Sequence, residues 1–431
     1  MKRDGLLVWV WAVWALFACL LAAPAVAAER FPQPEFESGY AIPTPDHPDA
    51  RWPGMEWVDA GALLAALSLA AFLALKTRSR IGLFLLMLAS LAYFGFYRKG
   101  CVCSVGSIQN MALMLFDGGY AVPLSVAAFF LLPLAFALLF GRVFCAAVCP
   151  LGAVQDAVVL KPVRVPAWLA SALGMLPVVY LGAAVLFAAT GTAFLICRYD
   201  PFVSLFRRSG SAPILAWGAG LLILGVFVAR PYCRFLCPYG VLLGWMSRLS
   251  PFHATITPDE CVRCRLCEDS CPFDAIEKPA PEEAPDRPRG DLPRLAALLA
   301  LAPLLAFAGG WLVSRAAAPL AAAHPAVSLA RQVALEESDR TVSLTKESEA
   351  FRGTGRTASE LFAEADAVRK RFSIGGWIFG AFLGLAFGGR LVRLFVGRKP
   401  RDYEPDRGAC VSCGRCFETC PRERRRKSKT R

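Results

Sequence analysis

Histidine is scarce in this 431-residue chain. It occurs only as His47, His253 and His324, none of which lies inside a long apolar run. The sequence also contains no Cys-x-x-Cys-His motif. A membrane haem b bound by two histidines needs such residues within its spans, and an attached haem c needs that motif. The sequence therefore predicts a protein without haem.

Charged residues are also few, at 19%, whereas apolar residues make up 56% and the mean hydropathy is +0.47. The charges gather between long apolar runs, which is typical of a bundle of membrane helices. The net charge is +13, and the last ten residues, from Arg422, hold seven Lys or Arg. We interpret this basic excess as contact with anionic membrane lipid, and we expect no nucleic-acid partner.

The N-terminus has the features of a secretory signal. Lys2 and Arg3 precede an apolar run from Leu6, which ends in the small-residue stretch APAVAAE. Residues 1–28 are predicted to be a signal peptide, with an uncleaved N-terminal anchor as the alternative because the run is long. The acidic, Pro-rich residues 29–56 are then predicted to form a periplasmic arm.

Seven further apolar runs predict an all-α polytopic membrane bundle. They cover residues 57–75, 81–97, 120–140, 168–190, 212–229, 295–313 and 374–397. The short basic loop from Lys76 to Arg80 predicts a cytoplasmic turn. Alternation from there places the loops at 98–119, 191–211 and 314–373 outside, and it places 141–167, 230–294 and the C-terminus inside. Residues 57–250 would form the transmembrane core, and residues 292–397 a transmembrane hairpin around a periplasmic helical segment at 314–373.

Two stretches carry the strongest chemical signal: CVRCRLCEDSCP from Cys261 and CVSCGRCFETCP from Cys410. Each follows C-x2-C-x2-C-x3-C-P, the spacing of bacterial ferredoxins with two 4Fe–4S clusters, in which the fourth cysteine ligates the other cluster. Thiolates are the soft ligands that such clusters need. A structural zinc site usually takes four ligands from two paired knuckles rather than two complete runs. The predicted ligand sets are Cys261, Cys264, Cys267 and Cys420 for one cluster, and Cys410, Cys413, Cys416 and Cys271 for the second.

The two motifs are separated by two predicted spans, which return the chain to the same side of the membrane. Residues 251–291 and 398–431 are therefore predicted to be the halves of one small α+β ferredoxin module on the cytoplasmic side, the second half carrying the basic tail. The stretch CPRERRR lacks the apolar residues that follow Cys271 in CPFDAI, so the sheet of the second half is expected to be incomplete.

A second cysteine motif is duplicated. RVFCAAVCPLG and RPYCRFLCPYG share the pattern Arg-x-aromatic-Cys-x3-Cys-Pro-x-Gly, and each follows a predicted span. Each copy is preceded by cysteine in a loop predicted to lie outside: Cys101 and Cys103 before the first, Cys197 before the second. A duplicated unit favours a redox or metal site over small buried cysteines and helix-ending prolines. The residues of this tentative site are Cys145, Cys149, Cys233 and Cys237.

With these motifs the chain resembles the NosR/NapH-type membrane polyferredoxins over about residues 57–421. The resemblance implies a bacterial inner-membrane protein that passes electrons between the quinone pool and periplasmic redox partners. The NosR branch also carries covalent FMN in a periplasmic domain. This chain has no Ser/Thr-Gly-Ala-Ser/Thr site for it, so no covalent FMN is expected.

The residues leave two functions open. The first is an electron-transfer subunit that connects quinone or a cytoplasmic donor with a periplasmic redox partner, through two 4Fe–4S clusters and an additional thiolate-bound centre. The second is an assembly or regulatory factor for a respiratory metalloenzyme, with cysteines that sense redox state or handle metal. A substrate transporter is disfavoured because the spans carry almost no charge.

Overall fold

The computed structural model describes most of the chain from residue 52 onward. The described ranges are residues 52, 54–100, 103–160, 162–208, 210–256, 261–279, 291–339, 343–396 and 402–429. The predicted signal or anchor at 1–28 lies outside them, as does the predicted arm up to residue 51. The chain folds as two units. Unit 1 comprises the chain up to residue 166 with 200–279 and 400–431, and unit 2 comprises 167–199 and 280–399.

Unit 1 is almost entirely helical. Its helices are Met55–Ala71, Arg80–Ser90, Ser107–Phe116, Leu124–Phe140, Val143–Ala147, Pro150–Ala157, Pro201–Arg207, Ala212–Gly225, Pro231–Phe235, Pro238–Arg248, Leu266–Asp269, Arg415–Thr419 and Pro421–Lys429. The first two helices continue as π-helical segments, Phe72–Lys76 and Leu91–Tyr97. Ser79 caps the second helix, since its side chain accepts the N–H of Gly82 at 3.1 Å.

A small antiparallel sheet joins distant parts of unit 1. Strand Ile276–Glu277 pairs with Glu404–Pro405, with Ile276 opposite Pro405 and Glu277 opposite Glu404. The strand at Ile276 follows the first ferredoxin motif, and the strand at Glu404 precedes the second. After the second motif the described chain is helical at Pro421–Lys429, where the sequence lacks apolar residues for a further strand.

Unit 2 is a helical hairpin with a smaller helical cluster. Its helices are Ala167–Leu173, Leu176–Ala189, Leu195–Tyr199, Asp291–Arg315, Ala317–Ala321, Pro325–Ser338, Lys346–Gly353 and Ala358–Val396. Most of the described residues in the segment predicted as helical at 314–373 are helical, and its last part is continuous with the following apolar helix. Its apolar faces pack together around Phe351, Leu361 and Phe372.

Glycines let the two long helices of unit 2 approach closely. A Cβ added at Gly380 would lie 2.1 Å from the carbonyl oxygen of Gly309, and one at Gly384 would lie 2.1 Å from that of Leu305. Gly376, Gly380, Gly384 and Gly388 recur at every fourth position, so they line one face of their helix. This small-residue spacing is typical of helix pairs packed inside a membrane.

Within the described ranges, five helices are long and apolar enough to cross a membrane: Met55–Lys76, Arg80–Tyr97, Ala167–Ala189, Ala296–Arg315 and Ala358–Arg393. They overlap five of the seven predicted spans. The other two predicted spans are shorter helices, Leu124–Phe140 and Ala212–Gly225. The helix Leu124–Phe140 begins only after Pro123. The helix Ala212–Gly225 ends before Arg230 and Pro231, and a residue that precedes a proline disfavours the helical conformation.

Candidate metal centres

Three cysteines of the first ferredoxin motif and one of the second line a single cavity, which we call the first cavity. Its atom-free space is about 370 Å³, which includes space open to solvent. Its cysteines are Cys261, Cys264, Cys267 and Cys420. Cys264 is exposed and Cys267 is buried, so the cavity lies near the surface. The motif spacing predicted these four residues around one cluster.

The remaining four ferredoxin cysteines line another cavity of similar size, the second cavity, at about 410 Å³. Its cysteines are Cys271, Cys410, Cys413 and Cys416, and none of them is exposed. Burial raises the pKa of the Cys410 thiol to about 12 and that of Cys416 well above its ordinary value. A bound metal removes the proton from such a thiol, so the raised pKa values do not prevent thiolate ligation in this more enclosed cavity.

The two motif loops share one backbone conformation. Arg263 and Ser412, each directly before the second cysteine of its motif, have φ of +49° and +55°. Arg265 and Gly414, each directly after that cysteine, have φ of +64° and +79°. Left-handed residues at matching positions turn both loops tightly, although only Gly414 is a residue that favours this region. The repeated strain at non-glycine residues is typical of loops that hold a ligand.

Contacts between the motifs hold the exchanged cysteines in place. Thr419, directly before Cys420, donates its hydroxyl to Ser270, directly before Cys271, at 3.0 Å. The backbone N–H of Asp406 donates to the Ala275 carbonyl at 2.8 Å and extends the small sheet. These bonds join the two halves at the point where each fourth cysteine crosses to the other cavity.

The arrangement fits clusters better than single ions. Across the ranges that the structure describes, no three His, Cys, Asp or Glu side chains converge closely enough to hold one metal ion. A structural zinc needs four ligands at one tetrahedral centre. In a 4Fe–4S cube each thiolate binds a different iron, so four cysteines spread around a cavity suit it.

The duplicated motif places its four cysteines together, and we call this group the four-cysteine site. Cys149 interacts electrostatically with Cys233 and Cys145, and Cys237 interacts with Cys233, Cys149 and Cys145. Cys149 and Cys237 precede helices that begin with proline, Pro150–Ala157 and Pro238–Arg248. Helix N-termini stabilise thiolates, which opposes the burial that raises the pKa of both thiols.

Gln155 ties the two copies of the motif together. Its amide nitrogen lies 3.2 Å from the Cys233 sulfur, and its amide oxygen accepts the backbone N–H of Tyr232 at 3.0 Å. Gln155 is fully buried. A hydrogen bond to a ligating sulfur orients it and tunes the centre that it holds.

The arginine of each copy packs on the glycine of the other. A Cβ added at Gly152 would lie 3.1 Å from an Arg230 nitrogen, and one at Gly240 would lie 3.4 Å from an Arg142 nitrogen. Arg142 also lies 3.8 Å from the Cys145 sulfur. A Cβ at Gly152 would press on the Arg230 guanidinium, whereas one at Gly240 would meet Arg142 at an ordinary contact distance.

Asp156 collects three guanidinium groups. Its carboxylate lies 3.3 Å from Arg415 and 3.4 Å from both Arg230 and Arg80, and it is 1% exposed at the side chain. Burial opposes ionisation of Asp156, yet Arg230, Arg415 and Arg80 hold its pKa below its ordinary value. Three cations around one carboxylate leave an excess of positive charge beside the four-cysteine site.

Several buried guanidinium nitrogens have no acceptor among the described residues, namely Nε of Arg142, Nη2 of Arg230 and Nε of Arg415. An unsatisfied buried donor costs free energy unless an anionic partner is present. A thiolate-bound cluster is anionic, so these orphaned donors fit such a group.

The cysteines of the two loops that precede the copies of the duplicated motif have different surroundings. Cys103 and Cys149 line one cavity with apolar residues such as Leu63, Phe94 and Phe129. Ser104, Val105, Phe144 and Val148 line the same cavity, so residues 103–105 lie beside the first copy of the duplicated motif. The placement of residues 98–119 outside the membrane stays a prediction. Cys197 is exposed, and Cys101 lies outside the described residues.

Two families of 4Fe–4S binding domain match this chain. Fer4_5 matches twice, at residues 122–166 and 211–256, and Fer4 matches residues 254–277. The Fer4_5 matches contain the two copies of the duplicated motif, and the Fer4 match contains the first ferredoxin motif.

Curated relatives agree with these domains. The chain is 28% identical to YccM of Escherichia coli over 188 residues, which is 39% of this chain and 52% of YccM. It is 30% identical to the regulatory protein NosR of Pseudomonas aeruginosa over 204 residues, 43% of this chain and 28% of NosR. It is 30% identical to MauN of Paracoccus denitrificans, a methylamine utilization ferredoxin-type protein, over 178 residues, 37% of this chain and 58% of MauN.

The chain therefore carries 4Fe–4S binding domains and is similar to ferredoxin-type membrane proteins of the NosR/NapH type. The match spans about half the length of YccM and under a third of NosR. No solved structure matches the chain.

Sequence reasoning found every cysteine of these sites but missed the polar residues around them. The arginines and glycines of the duplicated motif recur at matching positions in the two copies, so the sequence alone indicated them. Gln155 and Asp156 carried a weaker signal, the resemblance of AVCPLGAVQD to GCVCSVGSIQN. The partners of Asp156 on distant parts of the chain had no signal in a single sequence.

Proposed function

We propose that this protein is a membrane-bound electron-transfer subunit with two 4Fe–4S clusters in a ferredoxin module and a third thiolate-bound centre beside it. The observation that carries the proposal is the pair of cavities, each lined by three cysteines of one motif and the fourth cysteine of the other. This exchange is the ligand pattern of two-cluster bacterial ferredoxins.

The first cavity would hold a cluster on Cys261, Cys264, Cys267 and Cys420, and the second on Cys271, Cys410, Cys413 and Cys416. Such clusters supply reversible one-electron chemistry when bound. The chain itself does the rest. The motif loops orient the thiolates, Thr419 and Ser270 hold the crossing cysteines, and the enclosed second cavity excludes water.

The four-cysteine site would hold the additional centre on Cys145, Cys149, Cys233 and Cys237. Its matches to a 4Fe–4S binding domain family support this assignment. Gln155 would donate to one ligating sulfur, and the surrounding arginines would balance the negative charge of the centre. No haem and no covalent FMN enter this account.

We place the protein in the bacterial inner membrane, with the ferredoxin module and C-terminus cytoplasmic. Electrons would pass between the quinone pool or a cytoplasmic donor and a periplasmic redox partner protein. The basic loop around Arg78 and the basic C-terminal tail support this orientation, because cytoplasmic segments carry excess Lys and Arg.

The test is an iron and acid-labile sulfide count on the purified protein, combined with electron paramagnetic resonance of the reduced form. The proposal predicts two ferredoxin signals and more iron than two cubes require. A second arm follows reoxidation of the reduced clusters in membranes by a quinone analogue. Rapid reoxidation supports electron transfer, whereas indifference to quinone together with copper binding would favour an assembly or regulatory factor instead.

A control separates the third centre from the ferredoxin clusters. A variant with Cys149→Ser and Cys237→Ser should lose only the iron in excess of two cubes and keep both ferredoxin signals. Wild-type iron that fits two cubes alone, with these thiols free to alkylate, would overturn the third centre but leave the ferredoxin module standing.

A further inference from the structure

Two arginines of the duplicated motif, Arg142 and Arg230, lie between the four-cysteine site and the second cavity. Each stands three residues before the first cysteine of its copy. Neither is a ligand in the proposed function. Each makes one contact toward the four-cysteine site and another toward residues at or beside the second cavity, so together they span the space between the two sites.

Arg142 makes both contacts by hydrogen bonds. One terminal nitrogen lies 3.8 Å from the Cys145 sulfur, and the other donates to the Gly408 carbonyl at 3.0 Å. Gly408 stands two residues before Cys410, a cysteine of the second cavity. The guanidinium charge of Arg142 also interacts with Cys410.

Arg230 makes the corresponding contacts from the other copy. It donates to the Cys145 carbonyl, and its guanidinium lies 5.6 Å from the ring centroid of Phe273, which lines the second cavity. Its charge interacts with Cys233 on one side and Cys413 on the other. Arg230 is 1% exposed, so solvent does not screen these interactions.

The first cavity has no matching link in what the structure describes. Its lining residues include Arg265, which is exposed, and Arg422, and none of them belongs to the duplicated motif. Val262 at its rim is 54% exposed. The first cavity therefore faces the surface, and the second cavity faces the four-cysteine site.

We propose that Arg142 and Arg230 make the second cavity the contact point between the ferredoxin module and the four-cysteine site, and that Arg230 stabilises an added electron at both. This inference rests on the proposed function. One electron would pass from whichever of the two centres, at the second cavity and at the four-cysteine site, is reduced to the other, oxidised one, without any bond or proton change. The first cavity would exchange electrons with partners in solution.

The positive charge of Arg230 predicts the direction in which its removal shifts the redox equilibrium of the second-cavity cluster. Reduction adds one negative charge to a centre, so a buried cation beside it favours the reduced form. Replacing Arg230 by neutral Gln should raise the oxidised-to-reduced ratio of the second-cavity cluster about tenfold at a fixed potential, or about 59 mV for a one-electron couple. The cluster at the first cavity should shift much less.

The experiment is a redox titration followed by electron paramagnetic resonance on wild type, Arg230→Gln and Arg230→Lys. The signal that is lost in Cys264→Ser belongs to the first cavity, and the signal that is lost in Cys413→Ser belongs to the second. Arg230→Lys keeps the charge and should stay within about twofold of wild type. Arg164→Gln is the matched control, since Arg164 pairs with Glu268 and Asp269 near the first cavity but is 53% exposed.

The outcomes separate the two proposals. A tenfold shift of the second-cavity signal in Arg230→Gln, without a comparable shift of the first-cavity signal, supports the inference. Equal shifts of both signals, or no shift, overturn it while leaving the proposed function intact. If the Arg230→Gln variant does not accumulate in the membrane, Arg142→Gln is titrated in its place, and the shifts of its two cavity signals are compared in the same way. A wild-type protein without two cluster signals overturns the proposed function and the inference with it.

Discussion

Replacing Asp156 by Asn removes the one carboxylate that neutralises three converging arginines. Removing one partner of a buried ion pair typically costs about 3–5 kcal/mol, because the remaining charge stays buried and unpaired. Here Arg230 is left in that state, with Arg80 and Arg415 partly exposed. We therefore expect Asp156→Asn to lower the free energy of unfolding by at least about 3 kcal/mol.

The matched control is Asp274→Asn. Asp274 pairs with Arg234 at 2.9 Å, a shorter distance than any of the three contacts of Asp156, but its side chain is 32% exposed. Partly exposed pairs contribute about 0–1 kcal/mol. If the distance between the charges set the loss of stability, Asp274→Asn would lower the free energy of unfolding more. If burial sets it, Asp156→Asn will lower the free energy of unfolding more.

The assay is loss of iron–sulfur absorbance on heating the purified protein, at constant detergent and pH. Because the folded-state pKa of Asp156 is depressed, its stabilisation is present above the ordinary pKa and is lost only as pH falls below that range. The difference between wild type and Asp156→Asn should therefore stay constant from pH 8 to about 5. Equal effects of the two substitutions would refute the reasoning.

Two further pairs of substitutions test packing and capping. Gly380→Ala should destabilise the protein by about 1–3 kcal/mol, because the added methyl group clashes with the facing helix. Gly389→Ala, with open space around it, should stabilise the protein by up to about 1 kcal/mol. Similar thermal stabilities of the two variants would contradict the close approach of the helices. Asp200→Ala should cost more than Tyr232→Phe, about 1–3 against about 1 kcal/mol, because Asp200 accepts two backbone N–H groups as well as the Tyr232 hydroxyl. Thermal unfolding of the purified variants measures both differences, and a larger loss for Tyr232→Phe would argue against the capping role.

The grouping of the eight ferredoxin cysteines around two cavities could be predicted from the sequence, because cluster chemistry fixes the motif spacing. A thiolate at each of four positions is needed, and the motif encodes the loop that presents them. The meeting of the two halves followed from the count of spans between them, although two of the seven predicted spans are shorter helices than expected.

The surroundings of the cysteines could not be predicted, because they depend on contacts between distant residues. Asp156 gathers arginines from three separate parts of unit 1, and the pairing of each motif arginine with the glycine of the other copy requires both copies in place. The cavity that Cys103 shares with Cys149 could not be predicted either, because alternation of spans does not show where a loop folds back. The glycine repeat from Gly376 was visible in the sequence, and its four-residue period would have predicted the close helix contact.

The exchange of fourth cysteines is the central claim, and one comparison of variants tests it most directly. Electron paramagnetic resonance of reduced Cys420→Ser should show loss or alteration of the same signal that Cys264→Ser affects, although these residues belong to different motifs. Cys271→Ser should affect the other signal, together with Cys413→Ser. If Cys420→Ser instead affects the signal that depends on Cys413, each motif holds its own cluster and the account is contradicted.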